Sequence, residues 1–305
     1  MRQFGRFLRN AQVMLGVVIV TCFVATAILA PVLAPPDDPD NPSTTRVVSK
    51  YYDPIPRPPD EGVLLGTAPG GLDIYYSLVW GSRSALALGL TITVTTALIG
   101  ILLGALGGYA GGMFLGLTLR VTDAFLAFPV ISGVWLLQQV LMPASPYGDL
   151  SPIQQAFFDL GLSPILLTLV AFSWMPYARL TSANVMQLKQ TEFVQAARSV
   201  GVRKRRIIGR HLLPNALPPV IVLGARDVGG MVVLTAAFTF IGLGGSTEWG
   251  DLLAISRDYI IGSGGNPLTY WWVFVPVTLA LILFGIGWNL LGDGLNTVFD
   301  PRIAR

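Results

Sequence analysis

The sequence predicts an all-α integral membrane protein with six transmembrane helices. Three observations carry this reading. Hydrophobic residues make up 52% of the chain and charged residues only 12%, about half the charged fraction usual for a soluble domain; the mean hydropathy is +0.62. Six apolar runs, 11–33, 84–107, 119–142, 161–182, 216–243 and 270–292, are each long enough to cross a bilayer, which takes about 20 residues. Lysine and arginine are distributed unevenly between the connecting segments. Lipid cannot satisfy a backbone donor or acceptor, so such runs must be helices or closed barrels. Barrel strands alternate apolar and polar residues, and these runs do not.

The first run follows Arg2, Arg6 and Arg9, which is also the layout of a signal peptide. Its apolar stretch from Val13 to Leu33 is long for one, and Pro31 and Pro35 flank the small residues of the would-be cleavage region, so a retained helix is expected. Cys22 is the sole cysteine; it cannot form an intrachain disulfide and reads as a small packing residue. Residues 34–62 are rich in proline and acidic side chains. Proline removes donors and fixes the backbone, so an extended, weakly ordered external spacer is expected.

The second run carries Thr91, Thr93, Thr95 and Thr96. These hydroxyls could line a polar path, Thr91 and Thr95 in particular, or bond to their own helix carbonyls. Gly104-Ala105-Leu106-Gly107-Gly108 reads as helix packing or a turn. In the third run Arg120 and Asp123 stand three apart, the spacing of an ion pair on one helix face. Residues 143–160 form a shorter external loop. In the fifth run Arg226 and Asp227 are adjacent. Charges at such depth are costly and face protein or water. Neighbours on a helix point apart, so each needs its own partner, and another subunit is one source of it. Lining a path and clamping helices both stay open.

Orientation follows from the basic residues. With six spans and the N-terminus inside, cytoplasmic segments hold 14 of the 20 lysines and arginines and external segments hold five, with Arg226 inside a span. The cluster Arg203-Lys204-Arg205-Arg206 would have to be translocated in the opposite topology. Both termini are therefore expected in the cytoplasm, with the chain a multi-pass protein of the plasma (inner) membrane. One transmembrane domain is read over 65–305, with a cytoplasmic loop at 190–215. Residues 1–64 supply the tail, the first helix and the proline-rich loop.

Enzymology is a poor fit. His211 is the only histidine, so a histidine metal cluster or a serine triad with a spare base is excluded. No catalytic residue and no metal site are expected. There is no G-x-x-x-x-G-K-[ST] phosphate loop, so ATP, if used, is bound elsewhere. A secondary transporter would show inverted repeats and paired broken helices. A channel is compatible with the composition but leaves the basic loop unexplained.

In that loop, Thr191 to Val200 reads as a short helix whose small Ala196 and Ala197 permit close approach of another protein. Gly201 then tolerates a sharp change of direction. Arg203 to Leu213, with Arg206, reads as a second short helix, and Pro214 as the turn into the fifth span. The stretch Gln195-Ala196-Ala197-Arg198-Ser199-Val200-Gly201, followed after nine residues by His211-Leu212-Leu213-Pro214, has the spacing E-A-A-x-x-x-G-x(9)-I-x-L-P. It resembles the loop by which ABC importer permeases dock on their ATPases. With Asn215 it is similar to the dipeptide and oligopeptide (DppC/OppC-type) branch.

The resemblance covers roughly 65–305. It includes Leu65-Gly66-Thr67, Gly81-Ser82-Arg83, Gly108-Tyr109-Ala110-Gly111-Gly112, Leu126-Ala127-Phe128-Pro129, Trp249-Gly250, Asn289-Leu290-Leu291-Gly292-Asp293-Gly294-Leu295 and Asp300-Pro301-Arg302. Ala68, Leu72 and Gln195 stand where the pattern has aspartate, arginine and glutamate. The resemblance implies a type I ABC importer permease. It would pair with a B-type permease subunit, dock two ABC ATPases carrying ATP and Mg, and receive its solute from an external substrate-binding protein. The cargo would be a dipeptide or oligopeptide, or a related solute such as a nickel chelate. Alternating access would be driven through Gln195, Ala196, Ala197, Arg198, Gly201, Arg206, His211, Leu213 and Pro214.

Overall fold

Helix α1 (Ala11–Leu33) begins where the Asn10 side chain accepts a hydrogen bond from the Gln12 N–H at 3.0 Å, a capping arrangement that satisfies one of the first free amides. A computed structural model describes residues 10–38, 43–48, 53–141, 151–160, 162–244, 247–262 and 265–299.

The segment between the first two long helices departs from expectation. Its described residues are not a loose spacer. Strand β1 (Thr67–Ala68) pairs antiparallel with β2 (Leu72–Asp73), Thr67 opposite Asp73, and isolated bridges join Val47 to Leu72 and Asp60 to Val63. Proline withholds backbone donors, but side chains replace them. Trp80 Nε1 donates to the Ala34 carbonyl at 3.0 Å and Tyr76 Oη donates to the Ser43 carbonyl at 2.7 Å. Arg46 pairs with Asp37 at 2.7 Å and lies 4.8 Å from the centroid of the Tyr76 ring. Two stretches of this loop, 39–42 and 49–52, lie outside the described residues.

Helix α2 runs from Ile74 to Ala110, 37 residues, about 55 Å at 1.5 Å per residue. That exceeds a hydrocarbon core of about 30 Å, so its ends project beyond it. Asp73 caps it by accepting from the Tyr76 N–H at 3.2 Å. The third expected span is broken into α3 (Gly112–Ala127) and α4 (Val130–Leu141), bent by 81°. The cause is Pro129. The residue before a proline is pushed out of the helical region, and Phe128 sits at φ −84°, ψ 128°. Within the expected loop 143–160 a short helix, α5 (Pro152–Asp159), is present, while 142–150 lie outside the described residues.

The fourth expected span is also divided, into α6 (Pro164–Ser173) and α7 (Met175–Leu188), at Trp174. Pro176 has no N–H to offer the preceding turn and its ring crowds that turn's carbonyl. After α8 (Glu192–Ser199) come α9 (Lys204–Ile207), a π-helical turn at Ile208–Leu212, and α10 (Leu213–Phe240). These last three form one continuous rod of 37 residues. Arg203 to Leu213 is therefore not a separate short helix, and Pro214 is not a turn. The Leu213 N–H bonds to the Ile208 carbonyl, five residues back. This wider turn accommodates Pro214 without breaking the rod. The chain continues through α11 (Glu248–Ile255), α12 (Arg257–Ile261), a 3₁₀ turn at Trp271–Val273, and α13 (Val275–Phe299).

Among the described residues, four helices are long and apolar enough to cross a membrane, or five if the bent pair α3–α4 is one span. Within the described residues the six expected runs are largely helical, but Pro129 and Pro176 break two of them, and the expected six unbroken spans are not found.

Two contacts organise the bundle. Gly100, Gly104 and Gly108 form a stripe on α2 against α7. An added Cβ would lie 2.6 Å from the Trp174 oxygen at Gly100, 2.8 Å from Thr181 Cβ at Gly104, and 2.7 Å from the Ser182 oxygen at Gly108. Small residues let membrane helices approach closely, so the glycine-rich stretch is packing, as one of the two sequence readings had it. The other contact centres on buried Trp249 of α11. Its ring meets Phe23 of α1 and Phe284 of α13 edge to face at 5.8 and 5.7 Å, and its Nε1 donates to the Leu78 carbonyl at 3.1 Å.

Candidate functional site: an anchored loop and two intramembrane charge contacts

The segment between α7 and α10 is built outward from a small core. Val194, Ile207 and Leu212 are fully buried together with Ala105 of α2, Val185 of α7 and Ala216 of α10. Each such side chain contributes roughly 1.5–3 kcal/mol through burial. The loop is thereby fixed to the ends of three long helices. Polar contacts add to this. Lys189 Nζ donates to the Tyr109 carbonyl at 2.6 Å, and Asn184 Nδ2 donates to the Ala216 carbonyl at 3.2 Å. The Arg198 guanidinium lies 5.4 Å from the Tyr109 ring centroid.

Helix α8 ends in a Schellman motif. The Val202 N–H bonds to the Ala197 carbonyl at 3.1 Å and the Gly201 N–H to the Arg198 carbonyl at 3.0 Å. This arrangement requires a left-handed residue after the cap, and Gly201 has φ +76°. A Cβ at Gly201 would meet nothing within 4 Å, so its requirement is conformational and not one of space.

The remaining loop residues have distinct places. Gln195, Ala196 and Arg198 are exposed and Ala197 half-buried on α8; Gln195 Nε2 donates to the Gln190 carbonyl at 3.0 Å. Arg206 is exposed on α9. His211 lies in the π turn, its ring 6.5 Å from that of Phe193. Leu213 packs on the loop core, and Pro214 is exposed in the first turn of α10. Phe193 lies outside the motif and Val200 at one of its unspecified positions, yet they are 46% and 79% exposed. With Ala196 they fall at i, i+3 and i+7, one stripe of α8. Apolar residues at that spacing within a basic loop were the available signal.

The charges of the fifth run each have a partner within the chain. Arg226 is ion-paired with Asp293 of α13. Asp227 accepts from Tyr177 Oη of α7 at 2.5 Å. Adjacent positions on a helix point about 100° apart, so the pair ties α10 to two different neighbours. Asp293 is the sole acid of α13, which made it the natural candidate. Gly292 allows the approach, since a Cβ there would lie 2.7 Å from Arg226 Cγ.

The expected Arg120–Asp123 pair is corrected. Asp123 is ion-paired with Arg179 of α7, a link between helices where i,i+3 geometry had suggested one within a helix. Of the path candidates, Thr91 is exposed and Thr95 half-buried on α2. Thr96 bonds its own helix at Ile92 (2.8 Å) and Thr93 (3.1 Å). Thr93 Oγ1 is buried without a hydrogen-bond partner.

Four or five membrane-length helices with a loop anchored at the ends of three of the bundle's helices define a multi-pass membrane protein. Residues 98–305 match the family model of the binding-protein-dependent transport system inner membrane component, and residues 2–54 match that of the N-terminal transmembrane domain of oligopeptide transport permease C. The chain belongs to the binding-protein-dependent transport system inner membrane component family, whose members are transport permeases and not enzymes. It is 29% identical to the dipeptide transport system permease protein DppC of Alkalihalophilus pseudofirmus, over 98% of this chain and 89% of that protein. It is 28% identical to the oligopeptide transport system permease protein OppC of Bacillus subtilis, over 98% and 88%. It is 31% identical to the probable D,D-dipeptide transport system permease protein DdpC of Escherichia coli, over 80% and 75%.

Proposed function

We propose that this permease carries dipeptides or oligopeptides inward as one half of a heterodimeric pathway. A B-type permease subunit forms the other half. Two ABC ATPases dock on residues 191–214 and supply ATP and Mg, and an external substrate-binding protein delivers the peptide. Both termini face the cytoplasm in this reading. The peptide assignment is supported by relatives named for dipeptide and oligopeptide transport at 28–29% identity over nearly the whole chain.

The observation that carries the coupling mechanism is the anchored loop. Helix α8 and its C-cap residue present Phe193, Ala196 and Val200 outward while Val194 is fully buried against α2 and α7. A push on the outer stripe is therefore delivered to the ends of the long helices, with little lost in local bending. The Arg226–Asp293 and Asp227–Tyr177 contacts then tie α10 to α13 and α7, so these elements move as a unit between inward-open and outward-open states. Thr91 and Thr95 are the remaining path candidates.

Reconstitution tests this. The assembled transporter, with its binding protein, should accumulate a labelled dipeptide in proteoliposomes only when ATP is present on the ATPase side. Uptake of nickel chelates with exclusion of peptides would refute the peptide assignment while leaving the permease role intact.

A further inference from the structure

Two adjoining cavities lie between the loop and the junction of α2 and α3. One, of about 430 Å³, is lined by Tyr109, Lys189, Arg198 and Lys204 among others. The second, of about 410 Å³, shares Lys189 and Arg198 and adds Gln195, Met186 and Leu115. No carboxylate lines either one. Among the described residues, Lys189, Arg198 and Lys204 have no ion pair.

The cations are held in place. The Tyr109 ring lies 5.6 Å from Lys189 Nζ and 5.4 Å from the Arg198 guanidinium, and Lys189 Nζ is fixed on the Tyr109 carbonyl at 2.6 Å. Two positive groups converge on one aromatic ring with no counter-charge beside them. Gln195, at the edge of the second cavity, is neutral. Arginine and lysine so placed suit a phosphate, which arginine can bind through two parallel hydrogen bonds. Beside the cations, the first turns of α3 expose Met113 (92%), Phe114 (49%) and Leu117 (59%). A cationic cavity bordered by exposed apolar side chains at a helix end fits an amphiphile whose acyl chains follow the helix and whose headgroup enters the cavity.

We propose that the Tyr109–Lys189–Arg198–Lys204 cavity binds the phosphate of an anionic phospholipid, joining the docking loop to the lipid surface. The site lies against α8, so its occupant braces the segment that carries Ala196 and Gly201. The assignment does not depend on which solute is carried.

Native mass spectrometry of the purified assembled transporter, titrated with phosphatidylglycerol and separately with phosphatidylcholine, tests it. Phosphatidylglycerol should be retained in preference. The double variant Lys189→Gln/Arg198→Gln should weaken it roughly 30-fold, since each basic group near the surface is worth about fivefold. Lys189→Gln also removes the bond to Tyr109, so a second variant guards against misfolding. Gln195→Glu keeps every cation, places a carboxylate among them, and should likewise weaken retention. Millimolar inorganic phosphate that displaces the lipid would show that the site takes free phosphate as well; no displacement assigns it to the headgroup. Equal retention of both lipids, or unchanged retention in both variants, would overturn the proposal. So would phosphatidylglycerol binding seen only after the ATPases are stripped away, which would give the cavity to a partner's carboxylate.

Discussion

Replacing Gly201 by leucine should uncouple ATP hydrolysis from transport without affecting membrane insertion. Gly201 lies between α8 and α9, outside the long apolar helices, at φ +76°. A non-glycine residue in that region costs roughly 1–2 kcal/mol. No neighbour lies within 4 Å of its would-be Cβ, so no internal clash adds to this. The strain falls on the Schellman closure formed by the Gly201 and Val202 amides. A cost of 1–2 kcal/mol lowers the population of the closed loop by a factor of about 5–30 relative to its frayed forms. The leucine side chain would also project from the surface proposed to meet the ATPase. Asparagine enters the left-handed region more readily than other residues, so Gly201→Asn should retain most uptake and Gly201→Leu little. The assay is ATP-driven peptide uptake in proteoliposomes, with ATPase activity and membrane abundance measured alongside. Wild-type uptake by Gly201→Leu at normal abundance would refute the conformational argument. So would equal loss in the leucine and asparagine variants.

Other outcomes follow from the packing. Gly104→Leu should strongly destabilise the fold, because even a Cβ there would lie 2.8 Å from Thr181 Cβ; thermal unfolding of the purified protein should show a large drop, and an unchanged midpoint would contradict the stripe. Tyr177→Phe removes the hydroxyl that donates to Asp227, and leaving such an acceptor unpaired costs roughly 1–3 kcal/mol; the loss should appear as lowered stability, and none should appear in an Asp227→Leu background. Cysteine labelling in a Cys22→Ser background should modify Ser199→Cys only from the cytoplasmic side, and external labelling in intact cells would sink the proposed orientation.

The helical architecture was legible because apolar length is a long-range property of the sequence, insensitive to local detail. The interruptions were not read, though Pro129 and Pro176 were both visible; a run judged by hydropathy hides a break inside it. Pro214 erred the other way. It was expected to end a helix, and a π turn carries the rod through it. The loop motif placed Gly201 at the bend, and its positive φ is the feature that glycine supplies. The anchoring core was not legible, since Val194, Ile207 and Leu212 look ordinary in sequence and become a unit only when α2 and α7 converge on them. Arg226 and Asp227 were recognised as needing partners, but Tyr177 and Asp293 lie 50 and 67 residues away. The Arg120–Asp123 expectation failed because i,i+3 spacing permits a pair without requiring one when Arg179 offers a partner across helices. The proline-rich segment was misjudged because proline content says nothing of donors arriving from Tyr76 and Trp80.

The most direct test of the central claim is cross-linking of Ala196→Cys, in a Cys22→Ser background, to the ATPase subunits of the assembled transporter. Ala196 is exposed on the outer stripe of α8, so a short thiol-reactive cross-linker should join it to an ATPase, and Gly201→Leu in the same chain should reduce the yield. Efficient cross-linking of Arg206→Cys or Pro214→Cys with none at Ala196→Cys would place the contact elsewhere on the loop, and no ATPase adduct from any of the three would contradict force transfer through this segment.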